Sequence, residues 1–223
     1  MSVSEEFTIL RLSFPTDAHE ILPISYQDFC MNASNPVTEG EFTANGLDDG
    51  LMVTKLSTPG NLGWKLVQSS NSSSIISWVM FCPPQPLDER SEEEQIRDLK
   101  KEIDGSKASR SKESLLKMRM EYRLLNQRFL GKGYESNFWA LWGLATDEKW
   151  QRRGLASRLV LFGMGKMEEM VRESGGVKGV YVIASLAAQR TYEKAGFEMI
   201  GTNDGGEGEP GRLSHVWFIR SFG

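Results

Sequence analysis

Apolar and polar positions alternate from Phe7 to Phe14, a strand pattern that Pro15-Thr16-Asp17 ends with turn chemistry. Ala18 to Phe29 has room for a short helix, or for two interrupted at Pro23, because a proline inside a helix removes a donor and crowds the turn before it. From Asn32 to Gly50 the chain holds Asn35-Pro36, Asn45-Gly46 and Asp48-Asp49-Gly50 and reads as turns and loop. Trp64 to Gln68 and Ile75 to Phe81 are β-rich runs on either side of a serine-rich stretch, so the simplest arrangement is a hairpin. Pro83-Pro84-Gln85-Pro86 closes the second strand, since proline has no ladder donor to offer.

Two charged helical patterns follow, Asp88 to Ile103 and Lys112 to Leu130, joined around Gly105. The first carries Leu87, Ile96, Leu99 and Ile103; the second carries Leu115, Leu116, Met118, Tyr122, Leu125 and Phe129. Acidic and basic residues are interspersed throughout, which favours a solvated insertion laid across the core over a basic helix that grips phosphate. Its apolar stripe must pack against something, and the mouth of a substrate site is one place for it.

The second half has sharper periodicity. Phe138 to Thr146 is a strand candidate, and Gly154 to Arg172 is a helix whose Leu155, Leu159, Met167, Met170 and Val171 recur every three to four residues. Val180 to Ala184 is a continuous apolar strand of the kind covered on both faces, followed by a short helix from Leu186 to Ala195 that Gly196 stops. Phe197 to Ile200 begins another strand, Gly201 to Gly211 is a glycine-rich acidic loop, and Ser214 to Phe218 completes the sheet. With no dividing linker and no internal repeat, residues 1–223 read as a single α/β domain, with 83–131 as a charged helical insertion.

Composition narrows the picture. Of 223 residues 39% are hydrophobic, and there are 22 glycines, a balance that excludes wholesale disorder. Lys plus Arg number 26 against 30 Asp plus Glu, for a net charge of −4, so no global positive field gathers nucleic acid. Cys30 and Cys82 form no CxxC pair and read as reduced thiols; His19 and His215 have no partners at metal-ligand spacing, so no metal site is expected. The first residues do not read as a signal peptide, and no window approaches a membrane span, which points to a cytoplasmic protein without a membrane partner.

The chemistry concentrates in Leu144 to Ser157, where a hydrophobic strand runs through a polar turn into a long helix. Backbone N–H groups converge at such a helix start, where the dipole also favours an anion. Gly154 lets a ligand approach, Ala156 keeps the surface low, and Arg152 and Arg153 add charge. A surface turn with exposed arginines would look the same in isolation. Neither the GxxxxGKS/T loop of nucleotide triphosphatases nor a GxGxxG dinucleotide fingerprint after an early strand is present.

Gln151-Arg152-Arg153-Gly154-Leu155-Ala156, followed one helix and one strand later by Tyr192-Glu193-Lys194-Ala195-Gly196-Phe197, resembles the GCN5-related N-acetyltransferase (GNAT) superfamily. The first run matches its Q/R-x-x-G-x-G/A acyl-CoA loop, the second its terminal Y-E-K-x-G-F pattern, and the resemblance is strongest over residues 138–201. The insertion before the loop-bearing strand is similar to that of uncharacterised fungal members. The resemblance implies a mixed, strongly twisted, mostly antiparallel sheet flanked by helices, with strands 138–146 and 180–184 parallel and splayed. It implies acetyl-CoA as cosubstrate, with Leu144, Ala145 and Thr146 along the pantetheine arm, Arg152, Arg153, Gly154, Leu155, Ala156 and Ser157 at the pyrophosphate cradle, and Gln151 among the cofactor-binding residues as the first of the same loop. Ser185 stands where many members have an asparagine that contacts the cofactor arm; a serine still donates a hydrogen bond, with a shorter reach.

Tyr192 falls where a phenol protonates the leaving thiolate, its alternative being aromatic packing of the short helix. The amine acceptor must lose a proton, and Glu135, Asp147 and His215 flank strands near the expected cleft; their other readings are, in turn, a surface charge, a turn cap and a packed or solvent-facing ring. Trp78, Trp139, Trp142 and Trp217 fall in or beside strands and build the core or line an acceptor pocket. The implied activity is acetyl transfer to a primary amine, of a small molecule first, or of a peptide or protein. An acyl-CoA-sensing or protein-binding module on the same fold is the alternative, and monomer and homodimer both stay open.

Overall fold

The two β-rich runs pair as an antiparallel hairpin of β2 (Leu62–Gln68) and β3 (Asn71–Cys82). A computed structural model of the chain describes residues 6–13, 16–32, 58–105, 112–174, 176–203 and 215–222. The Asn32 to Gly50 loop, past Asn32, and the acidic loop beyond residue 203 lie outside them. The hairpin turn is tighter than the whole serine-rich stretch: β3 begins at Asn71, and register shifts on both sides of Val67 absorb its extra residues as bulges. On the outer edge of β2 lies β1 (Phe7–Arg11), shorter than the alternation suggested. The chain leaves the sheet after Leu12 because buried Asp17 gathers it into a turn, accepting from the Ser13 N–H at 2.7 Å and from Lys65 Nζ at 2.6 Å.

One helix, α1 (Ala18–Asn32), follows, and Pro23 does not interrupt it. Pro23 faces solvent while Ile21 and Ile24 are buried on the other side, so a single lost donor does not disturb the packed face. Two insertion helices come next, α2 (Glu92–Gly105) and α3 (Lys112–Leu130). Ser91 and Glu94 form a capping box at the start of α2: the Glu94 N–H donates to Ser91 Oγ, and the Ser91 N–H donates to Glu94 Oε2 at 3.0 Å. A single-turn helix, α4 (Tyr134–Asn137), leads into β4 (Phe138–Thr146). The long helix α5 (Leu155–Ser174) crosses to β5 (Gly179–Ser185), which is followed by a 3-10 turn (Leu186–Ala188), α6 (Gln189–Lys194), β6 (Glu198–Asn203) and β7 (His215–Ser221). β6 thus runs to Asn203, into the stretch expected to be loop.

These strands form a seven-stranded mixed sheet in the order β1-β2-β3-β4-β5-β7-β6, antiparallel throughout except for β4 and β5. The parallel register holds at three pairs only, Phe138↔Gly179, Trp139↔Val180 and Ala140↔Tyr181. In β4 the partner of Phe81 is Leu141 and that of Met80 is Gly143, so Trp142 is a bulge residue that bends the strand just where it leaves β5.

Helix α5 covers one face of the sheet, its Leu155, Leu159, Val160, Met164 and Met167 packing with Val79, Phe81, Trp139, Val182 and Phe218. Helix α1 covers the other, over Ile75, Trp78, Met80 and Ala145. The insertion's apolar stripe also lies on the α1 face: the Phe129 ring packs on Trp217 at 5.2 Å and fills the space a side chain at Gly201 would need. Buried Asn126 fixes this docking, accepting from Trp217 Nε1 at 2.6 Å and donating to Tyr134 Oη at 2.9 Å. Asn126→Leu, of similar volume, leaves the indole donor without its partner and should cost about 1–3 kcal/mol in urea unfolding. An unchanged unfolding midpoint would show that α3 does not need this bridge.

Tyr134 meets Tyr181 edge to face at 5.5 Å. Burial pushes the Tyr134 phenol up to about 12 and pushes the Tyr181 phenol up as well. The unfolded chain ionises both from about pH 10, before the folded chain does, so it holds fewer protons in that window. The contribution of these two phenols to stability is therefore fully present below pH 10 and is lost as pH rises toward 12 and beyond. Comparing urea unfolding at pH 9 and pH 11 checks this, with a shallower decline expected for Tyr181→Phe.

Candidate functional site

Where β4 parts from β5, its last residues, Leu144, Ala145 and Thr146, turn one backbone edge toward the gap instead of into a ladder. Ser77 holds this strand end from the other side, donating from Oγ to the Ala145 carbonyl at 2.9 Å and meeting Thr146 Oγ1 at 2.8 Å. The chain then makes a 3-10 turn, Glu148–Trp150, whose cap is Asp147: its carboxylate accepts the Lys149 N–H at 3.0 Å. Of the two readings of Asp147, the turn cap is the one the geometry bears out. Gln151 folds back and donates from Nε2 to the Thr146 carbonyl at 3.0 Å, tying the loop to the strand it left.

The next residues shape a cradle. Arg152 has φ +60° and Gly154 φ +76°, so left-handed backbone occurs twice just before α5, the kind of conformation from which anion nests are built. Left-handed backbone costs a non-glycine residue about 1–2 kcal/mol, and at Arg152 the fold sustains it. Nothing lies within 4 Å of where a Cβ on Gly154 would stand, so the approach to these amides is open. Arg153 turns elsewhere, its guanidinium over the Trp150 ring at 4.7 Å, and Trp150 in turn packs edge-on against Phe7.

The far wall is built by the 3-10 turn after β5 and by α6. Gly196, at φ +79°, ends α6, and the Phe197 N–H returns to the Tyr192 carbonyl at 3.0 Å, a C-cap that only a glycine adopts cheaply. This cap seats Tyr192 between Phe197 and Phe218, at centroid distances of 5.7 and 5.6 Å. Between the walls lies a cleft of about 470 Å³.

The cleft gathers ten of the residues that the sequence singled out: Leu144, Ala145, Thr146, Gln151, Arg152, Gly154, Leu155, Ala156, Ser157 and Tyr192. Arg153 and Ser185 are not in its lining. Residues not singled out by sequence also line it, Trp150, Ala187, Ala188, Arg190, Thr191 and Lys194. Arg190 and Lys194 stand one helical turn apart, a spacing visible in the chain but uninformative until α6 is seen to flank the loop. Arg152, Arg190 and Lys194 make the lining cationic, with no carboxylate among its described residues, in a chain whose net charge is −4. Such a surface selects an anionic ligand.

The other candidates for proton transfer separate. Glu135 lies in α4, at the start of β4, and its carbonyl accepts the Gln85 N–H at 2.7 Å. The length of β4, roughly 25 Å, stands between it and the cleft end of the strand. His215 opens β7 beside Ser185. Cys82 is half-buried and in no disulfide, and the side chain of Cys30 is outside the described residues. Trp78, Trp139 and Trp217 are buried in the core and Trp142 is half-buried. Among the described residues no helix is long and apolar enough to cross a membrane.

Residues 119–197 match the model of the Acetyltransferase (GNAT) family, a stretch that begins inside α3 and ends at Phe197. No curated protein matches the chain in sequence. Among solved structures, a mosquito arylalkylamine N-acetyltransferase like 5b is 14% identical, with a TM-score of 0.63 over 97% of this chain and 100% of that one. An agmatine N-acetyltransferase is also 14% identical, with a TM-score of 0.60 over 97% and 100% of the two chains. Arabidopsis thaliana NAA60 in complex with acetyl-CoA is 17% identical, with a TM-score of 0.54 over 97% and 98%. At such identities the likeness is one of architecture: the mixed, mostly antiparallel sheet flanked by helices is the GNAT fold.

Proposed function

We propose that this chain is an acetyl-CoA-dependent N-acetyltransferase that moves the acetyl group directly to a primary amine, that of a small molecule. The observation that carries the reading is a cationic cleft that begins at a backbone cradle and ends at the β4–β5 gap beside a buried phenol. Acetyl-CoA fits what the cleft offers. Its phosphates need inward N–H groups, nearby cations and a residue without a side chain at the closest approach, and the Arg152 to Ser157 segment, with Gly154, supplies all three. Arg153 adds long-range charge.

Leu144, Ala145 and Thr146 offer backbone donors and acceptors along which the amides of a pantetheine arm pair as an added strand would. Ser185, at the end of β5, lies close enough in sequence to the far wall to meet that arm. Bound there, the cosubstrate supplies an acetyl group activated as a thioester. The chain's own groups then do the rest: the cradle fixes position, the gap admits the amine, and the Tyr192 hydroxyl gives a proton to the departing sulfur.

Titration calorimetry should show saturable binding of acetyl-CoA, and thiol release should rise with one class in a panel of arylalkylamines, aliphatic polyamines, amino acids and peptide N-termini. Binding of ATP or NAD without coenzyme A would overturn the assignment. Tight acetyl-CoA binding without turnover on any amine would convert it to an acyl-CoA sensor, and turnover on peptides alone would replace the small acceptor.

A further inference from the structure

Tyr192 stands on the α5 side of the sheet, against Phe218, which shares its core with Val216. His215 and Trp217 alternate with those residues along β7 and therefore face the opposite side. His215 is paired across the ladder with Ser185, the last residue of β5, two residues before the cleft's far wall begins at Ala187. The insertion helix reaches down to it: Tyr122 Oη lies 2.7 Å from His215 Nδ1 and 3.2 Å from Nε2, with the rings edge to face at 5.2 Å. Tyr122 is seated on Trp217 at 6.1 Å, one turn before the Asn126 bridge that docks α3. A titratable pair thus lies at the same end of β5 as Tyr192, on the opposite face of the sheet and outside the lining of the cleft.

We propose, resting on the N-acetyltransferase reading above, that His215 is the base that takes the acceptor's ammonium proton and that Tyr122 is the residue that positions its ring. With Nδ1–H donating to the Tyr122 oxygen, Nε2 is the basic nitrogen. One ammonium proton passes to Nε2, leaving a neutral amine whose nitrogen forms the new bond to the acetyl carbon as the carbon–sulfur bond breaks. The Tyr192 hydroxyl protonates the departing sulfur, the second amine proton restores that phenol, and His215 returns its own proton to water, so one proton is released per acetyl transferred. Among the described residues, Tyr122 from α3, which is titratable, Ser185 from β5 and Asn203 from β6 stand against His215; Arg119, three residues before Tyr122, shares its helix face.

The chain has two histidines, so His19→Gln leaves a single imidazole to follow by nitrogen-15 NMR in the free protein. The Nδ1–H tautomer is expected, and Tyr122→Phe should shift the ring's titration. His215→Gln should keep acetyl-CoA affinity and lose about 10²-fold in kcat/KM near neutral pH, with the deficit closing at alkaline pH, where the amine is neutral without help. Tyr122→Phe should lose less, its acid limb displaced by the same amount as the NMR titration. His215→Asn, which keeps a donor near the Nδ1 position, replaces the glutamine variant if that protein loses acetyl-CoA affinity. An Nε2–H tautomer, or a wild-type pH profile in a folded His215 variant, overturns the assignment and leaves the pair as a strut for α3. A wild-type protein that acetylates no amine overturns the N-acetyltransferase reading and the base with it. That result differs from equal turnover by wild type and variant, which removes the base alone.

Discussion

Tyr192→Phe is expected to lower kcat by about 10²-fold while acetyl-CoA affinity stays nearly unchanged, the effect of removing a general acid. The ring is 4% exposed and held by aromatic contacts with Phe197 and Phe218, both of which a phenylalanine keeps. The substitution therefore separates the hydroxyl from the packing. Tyr192→Ala would not, because loss of a buried aromatic costs about 3–5 kcal/mol and the core around α6 would collapse with it. The measurement is pre-steady-state thiol release across pH with a poor amine, so that acetyl transfer limits turnover. The wild type should lose rate on the alkaline side as its acid ionises, and the variant should lack that limb. Equal rates and equal pH profiles would leave Tyr192 as a packing residue.

Gly154→Asp should weaken acetyl-CoA binding by at least about tenfold, through two effects that a control can divide. The backbone at Gly154 has φ +76°, so any side chain there carries a strain of roughly 1–2 kcal/mol even though nothing lies within 4 Å of the new Cβ. Gly154→Ala carries that strain alone. The carboxylate adds a negative charge beside the N-terminus of α5, where the cradle's N–H groups and the helix dipole otherwise favour phosphate. Calorimetry on both variants should show a modest loss for alanine and a much larger one for aspartate, reduced at high salt as screening weakens the repulsion. Wild-type affinity in a folded aspartate variant would place the diphosphate elsewhere.

Local patterns alone determined much of this architecture. The boundaries of β4 were legible because its apolar run ends in a polar turn, and α5 and β5 because their periodicities, 3.6 and continuous, hold over many residues. The backbone features of the 144–157 loop and of the Tyr192 to Phe197 motif, a glycine with left-handed backbone, a cap and a helix start, are local, but by themselves they also suit a surface turn, and it was the resemblance that singled these motifs out. Pro23 left one helix or two open, since whether a helix survives a proline depends on which face is buried.

What the tertiary structure decided is everything that depends on distant segments meeting. Arg190 and Lys194 become part of a cationic cleft only because the short helix after β5 lies across from the loop after β4, a juxtaposition created when two parallel strands stay paired for three residues and then part. Glu135 and Asp147, nearly equivalent as bases in the chain, are separated by the length of a strand, and one of them is committed to a cap. The partnership of Tyr122 with His215 spans 93 residues and two sides of an insertion boundary, and no periodicity encodes it. Periodicity reports which face of an element is buried; it carries no record of what covers that face, because that is fixed by how the elements pack against one another.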